Sequence, residues 1–153
     1  MNRLKGATCI YMTDYQTYPY KLLSPDDRKR LEVLERRYRN LAREVFTNRV
    51  TYYHQFTGGN YTSITIRDQK SRWGSCSSRG TLSFNYRLIF APAGVLDYVV
   101  VHELCHLTHM NHSKDFWNMV ATVMPDYKQY KNWLREHGSE LSIEQHLHKQ
   151  GRL

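Results

Sequence analysis

Residues 102 to 112 read HELCHLTHMNH and follow directly on the apolar run VLDYVVV. Four imidazoles, a carboxylate and a thiol at the end of such a run are costly to bury unless they are paired or bound to a metal. His102 and His106, four residues apart, share one face of a helix and can aim two nitrogens at one ion. Glu103 follows the first of them by one residue, which sets its carboxylate beside the open side of that ion, where it can take a proton from water. The segment therefore demands a largely buried helix with a site for one Zn(2+) per chain at its end.

The third ligand has two candidates. His109 lies on the same helical face as His102, but at 1.5 Å per residue the two are roughly 10 Å apart along the axis, too far for a zinc bound at about 2.1 Å. The chain must turn back first, and Asn111 is a residue type that tolerates the left-handed conformation of a helix end. His112 follows at once and is the expected third ligand. His109 is then a contact behind the ligands or to the transition state, or simply a surface histidine at a helix end. Three protein ligands leave a fourth position open, as in a catalytic zinc site. Cys105 is expected to be a small packed residue, and His146 and His148 belong to a polar end of the chain.

Along the chain, Ser24-Pro25-Asp26-Asp27 starts a helix, and Leu31, Leu34, Tyr38, Leu41 and Val45 carry its apolar spacing toward about Tyr53, with GlyGlyAsn at 58 to 60 as its stop. TSITIRD, WGSC and TLSFNYRLIF are strand-like, and SSRG supplies a turn, so a small antiparallel meander is expected. Pro92 opens the histidine-bearing helix. Further helices are expected from Ser113 and from Pro125-Asp126 to His137-Gly138. The chain thus reads as α+β, with an N-terminal segment 1–23, one domain over 24–138 and a loosely held polar tail 139–153.

At 153 residues the chain can bury a core without a metal staple, so a metal here is not needed merely to hold the fold. The three cysteines, Cys9, Cys76 and Cys105, are too few and too widely spaced for a disulfide framework. No run is long and apolar enough for a membrane span, and MNRLKGATCIYM does not read as a secretion signal, so a cytoplasmic location is expected. The net charge of +8 lies wholly before residue 102. That basic N-terminal two-thirds could support weak, salt-dependent DNA binding, or be no more than a solvated helix surface.

Four blocks in order, ITIRDQKSRWGSCSSRGTLSFNYRLIFAP, DYVVVHELCHL, NHSKDFW and PDYKQYKNWL, resemble the YgjP-like metallopeptidase family, relatives of the SprT-like zinc proteases, over about residues 25–137. The resemblance implies a zincin-like fold: a small antiparallel β-sheet packed against a long N-terminal helix and the HExxH helix. It also implies zinc-dependent hydrolysis of peptide bonds in a protein or peptide substrate. Carried over by position, it supports His102, His106 and His112 as ligands and Glu103 as the catalytic glutamate.

In such a fold an edge strand can hold an extended substrate by strand addition. The strand of Trp73 to Cys76, or its neighbour Thr81 to Asn85, is expected to be that rim; the competing reading makes Trp73 and Cys76 core, Gly74 a bulge and Arg72 an ion-pair partner. His109, Tyr127, Tyr130 and Arg72 are candidates for an oxyanion donor, and the tyrosine-rich first 23 residues, with Cys9 and Asp14, for an inhibitory cover. The alternative from another class is a nucleic-acid-binding module with a structural zinc and no peptidase activity. The two combine in a protease that acts on DNA-associated proteins.

Overall fold

The computed structural model describes residues 7–11 as backbone and residues 24–152 in full. Helix α1, Pro25–Thr57, begins where Ser24 accepts a hydrogen bond from the Asp27 amide at 3.1 Å, with Asp26 and Asp27 at the positive end of the helix dipole. Leu31, Ala42, Phe46 and Val50 form its buried stripe. It runs about one turn past the expected end and stops at Gly58, whose φ of +67° suits a residue without a side chain.

Four strands make the sheet: β1 (Ala7–Tyr11), β2 (Ser63–Arg67), β3 (Arg72–Ser77) and β4 (Thr81–Asn85), in the spatial order β1-β3-β4-β2. The expected antiparallel meander needs correction. β1 and β3 and then β3 and β4 pair antiparallel, but β2 lies parallel to β4, with Ile64 opposite Leu82 and Ile66 opposite Phe84. Alternating residues report which face of a strand is covered and not which strand lies beside it. A tight turn at Gly80 (φ +81°) joins β3 to β4, so residues 68–71 must carry the chain from β2 past the end of β4. Asn85 holds that crossing by donating to the carbonyls of Gln69 (2.7 Å) and Arg72 (3.0 Å).

Helix α2, Ala93–Cys105, is the centre of the molecule, in contact with α1, β3, α3 (Lys114–Val123) and α4 (Tyr127–His137). Every residue from Tyr98 to Cys105 is buried. Asp97, the break in the apolar run, takes a two-pronged bond from Arg49 of α1, Nε to Oδ1 and Nη2 to Oδ2, both 2.7 Å, and a third from the Tyr53 hydroxyl at 3.1 Å. That pairing is the planar geometry in which arginine binds a carboxylate best. Beneath it, Phe46 stacks on Phe84 of β4 with ring centroids 4.6 Å apart.

The expected loose tail is also corrected. Ser142 caps a further helix, α5 (Ile143–Lys149), by accepting from the Gln145 amide at 3.1 Å, and Ile143 and Leu147 pack with Leu31 of α1 in a small second cluster. A polar composition had concealed one apolar pair at helical spacing. No described helix is long and apolar enough to cross a membrane.

Candidate metal centre

Three imidazoles meet at the end of α2. His102 Nε2 lies 3.0 Å from His112 Nε2 and 3.1 Å from His106 Nε2, and the His106–His112 separation is 3.1 Å. The helix supplies two of them by its own periodicity, and the turn after it supplies the third. α2 ends at Cys105 and tightens, the amides of Leu107, Thr108 and His109 returning to the carbonyls of Leu104 and Cys105. No described residue other than glycine has a positive φ, so Asn111 does not make the left-handed turn expected of it. Ser113 then caps α3 through the Phe116 amide at 3.2 Å, which brings His112 back over the helix end.

His106 Nδ1 donates to the carbonyl of His109 at 2.9 Å; a carbonyl only accepts, so the proton is on Nδ1 and Nε2 presents a lone pair. Tyr98, one turn before His102, places its hydroxyl 3.4 Å from His102 Nδ1. Phe116 stacks on His106 with centroids 4.3 Å apart, and Trp117 lies parallel to His112 at 5.8 Å. Burial drives His102 well below the ordinary histidine range and His106 down to about 4, while the His112 ring is lowered more modestly. All three are therefore neutral at pH 7, the state that a metal requires of imidazole.

Glu103 sits beside them, fully buried, and neither carboxylate oxygen has a hydrogen-bond partner. Burial raises its pKa well above the usual carboxylate range, and the thiols of Cys76 and Cys105 are pushed up to about 12 by burial and by its charge. A buried carboxylate with no partner costs several kcal/mol unless a cation or a held water answers it. Three converging nitrogens at 3.0 to 3.1 Å are all within reach of one ion at the roughly 2.1 Å of a zinc–imidazole bond. The donor set fits a metal with one side open, because His112 is exposed while His102 and His106 are buried.

Of the other candidate contacts, His109 engages through its carbonyl, behind His106. Trp73 is 1% exposed and packs against Gly138, where a Cβ would come within 2.9 Å of its ring. Tyr127 is stacked between Trp117 and Tyr98, and Tyr130 donates to Asp126 and covers Gly94, about 12 Å along α2 from His102. Arg72 opens β3, half-buried. Gly74 owes its identity to a close approach, since a Cβ there would lie 2.8 Å from Glu103 Oε1. Spacing marks Trp117 only as an inward residue of α3 and does not single out Lys131, whose Nζ sits 4.2 Å from the Trp117 ring centroid and whose charge helps to lower His102 and His112.

No curated protein matches the chain in sequence. Among solved structures, the fold is similar to the crystal structure of the metallopeptidase zymogen abylysin of Pyrococcus abyssi, with a TM-score of 0.52 and 22% identity over 58% of this chain and 90% of that one. A family model, YgjP-like, metallopeptidase domain, matches residues 5–137, a span that takes in the three histidines, Glu103 and the whole sheet. By that match the chain belongs to the YgjP-like metallopeptidase family.

Proposed function

We propose that the chain is a cytoplasmic zinc peptidase in which His102, His106 and His112 hold one metal ion and Glu103 is the general base. The observation that carries this is the convergence of the three Nε2 atoms at 3.0 to 3.1 Å beside a buried carboxylate that has no other partner. A bound zinc supplies the Lewis acidity that acidifies water and polarises a peptide carbonyl. Glu103 takes the proton of the attacking water on a carboxylate oxygen and hands it to the leaving amine nitrogen. A cation held by the three histidines would keep the buried Glu103 carboxylate ionised, as a proton acceptor must be. The His109 carbonyl fixes the His106 ring in the tautomer that leaves Nε2 free. Arg72, the His109 ring and Tyr127 are the candidate donors to the developing oxyanion, since the Tyr130 hydroxyl is held by Asp126.

Docking on nucleic acid, so that DNA-associated proteins become substrates, has support of its own. Lys29, Arg30 and Arg37 of α1 line a groove with Arg152, Val33, Leu34 and Asp26, four cations to one carboxylate. A pure binding module with a structural zinc would account for that charge but leaves the buried Glu103 without a purpose.

Zinc content of the wild type and of His112→Ala, with casein cleavage by the wild type and Glu103→Gln, tests the peptidase reading. One zinc per chain, weakened in His112→Ala, with cleavage abolished in Glu103→Gln, is the expected result. Tight zinc in both proteins with no cleavage by either would replace it with a structural metal.

A further inference from the structure

Beside the three histidines stands a cation that the peptidase reading does not use. Lys131, exposed on α4, holds its ammonium 4.2 Å from the Trp117 ring centroid, and Trp117 lies parallel to the His112 ring at 5.8 Å. The two contacts in series place the charge within about 10 Å of a metal ligand, two to three residues of extended chain. Its platform is packed by two further rings. Tyr127, one turn earlier on α4, stacks on the same tryptophan at 5.3 Å, and Phe116 closes Trp117 from the side at 5.0 Å.

No carboxylate among the described residues forms a salt bridge with Lys131, although other cations find one: Arg49 with Asp97, Arg39 with Glu35, Lys149 with Glu140. A lysine that served only to cover the tryptophan would use its methylene stem and leave its head in water. Here the head itself is drawn over the ring, which fixes the position of a charge whose remaining hydrogens are free to donate. The exposed side of the histidine cluster is His112, the ligand that shares Trp117 with Lys131. A substrate reaching the metal from the open side meets that ammonium.

We propose that Lys131 is a specificity-determining residue that binds a carboxylate of the substrate within two to three residues of the bond to be cut. The carboxylate comes either from an Asp or Glu side chain or from a free C-terminus near that bond. This inference rests on the peptidase reading of the same site.

The test uses the zinc-loaded full chain and peptides in matched sets: Asp against Asn at each position within three residues of the cleaved bond, and a free C-terminus against its amide. Wild type should favour one carboxylate member by a few-fold to about tenfold in kcat/KM, the scale of one charge-assisted contact. In Lys131→Met, which keeps the stem, that ratio should fall toward one, and in Lys131→Glu it should invert. Preference at an internal Asp identifies a side-chain carboxylate, and preference confined to the free terminus identifies the chain end.

Anisotropy binding of the same labelled peptides to Glu103→Gln gives a readout without turnover. The carboxylate peptide should bind more tightly than its neutral partner, and Lys131→Met should remove the difference. Cleavage with no acid preference, or a preference unchanged in Lys131→Met, overturns the role of Lys131 and leaves the peptidase standing. Carboxylate-dependent binding through Lys131 with no cleavage by wild type supports the site and overturns the peptidase reading instead.

Discussion

Two residues beside the three histidines show how narrow the tolerances of the candidate site are. Gly74 allows Glu103 its place, for a Cβ would lie 2.8 Å from Oε1, 2.9 Å from Cγ and 3.0 Å from Val99 Cγ1. Gly74→Ala should therefore keep its zinc and lose cleavage by about 10- to 100-fold, the usual consequence of a catalytic group moved by an ångström; kcat beside metal content checks it. Glu103 itself imposes a pH dependence on the metal-free protein. Its folded pKa is raised above the unfolded one, near 4.5, so above that pH the unfolded state releases a proton that the folded state holds, and stability falls as pH rises. In EDTA-treated protein, Glu103→Gln should unfold at a higher temperature than wild type at pH 7.5, with the gap closing toward pH 4.5. An equal gap at both values would show that the carboxylate is not the source. The meeting of His102 and His106 was legible from i, i+4 spacing, and that of His112 with them from the reach of a zinc–nitrogen bond. The contacts of Trp117 with His112 and Lys131 were not, because they join α3 and α4 to the site only by packing.

Among the elements, β1 and β3 bear most directly on how a substrate enters. β3 passes close over Glu103 at Gly74, but neither strand expected to be the substrate rim is an edge: β3 lies between β1 and β4, and β4 between β3 and β2. The outer edge of β3, where an added peptide strand would pair, is taken by β1 in antiparallel register, Cys9 opposite Ser75 and Ile10 opposite Gly74. The rest of the N-terminal segment, Asp14 included, lies outside the described residues. Deletion of residues 1–20 should expose that edge and raise kcat/KM on an extended peptide several-fold with the zinc content unchanged. Unchanged or lower activity in a folded deletion variant would count against an inhibitory cover. The helix starts at Ser24 and Ser113 were readable because caps are local chemistry. The parallel pairing of β2 with β4 was not, because a strand's neighbour is chosen by crossings elsewhere in the chain.

At the scale of the molecule, charge and chemistry sit on different parts of the surface. The groove of Lys29, Arg30, Arg37 and Arg152 lies along the start of α1 and the end of the chain, while the histidines lie at the end of α2. Binding to duplex DNA should weaken steeply between 50 and 200 mM salt, survive Glu103→Gln, and lose slope in Lys29→Ala/Arg30→Ala, since each phosphate contact removed lowers the salt dependence by roughly one. A filter-binding titration at low salt that shows no complex removes nucleic acid from the account. By itself the sequence determined the pairing of His102 and His106 on one face of α2, the return of His112 to them, the helix starts and the α+β class, because caps, helical periodicity and metal reach act within a few residues. Tertiary structure alone decided the mixed sheet, the docking of α5 on Leu31, the fit of Gly74 over Glu103 and the setting of Lys131 against Trp117. Each of these depends on contacts between segments far apart in the chain, where local preference is silent and close packing chooses.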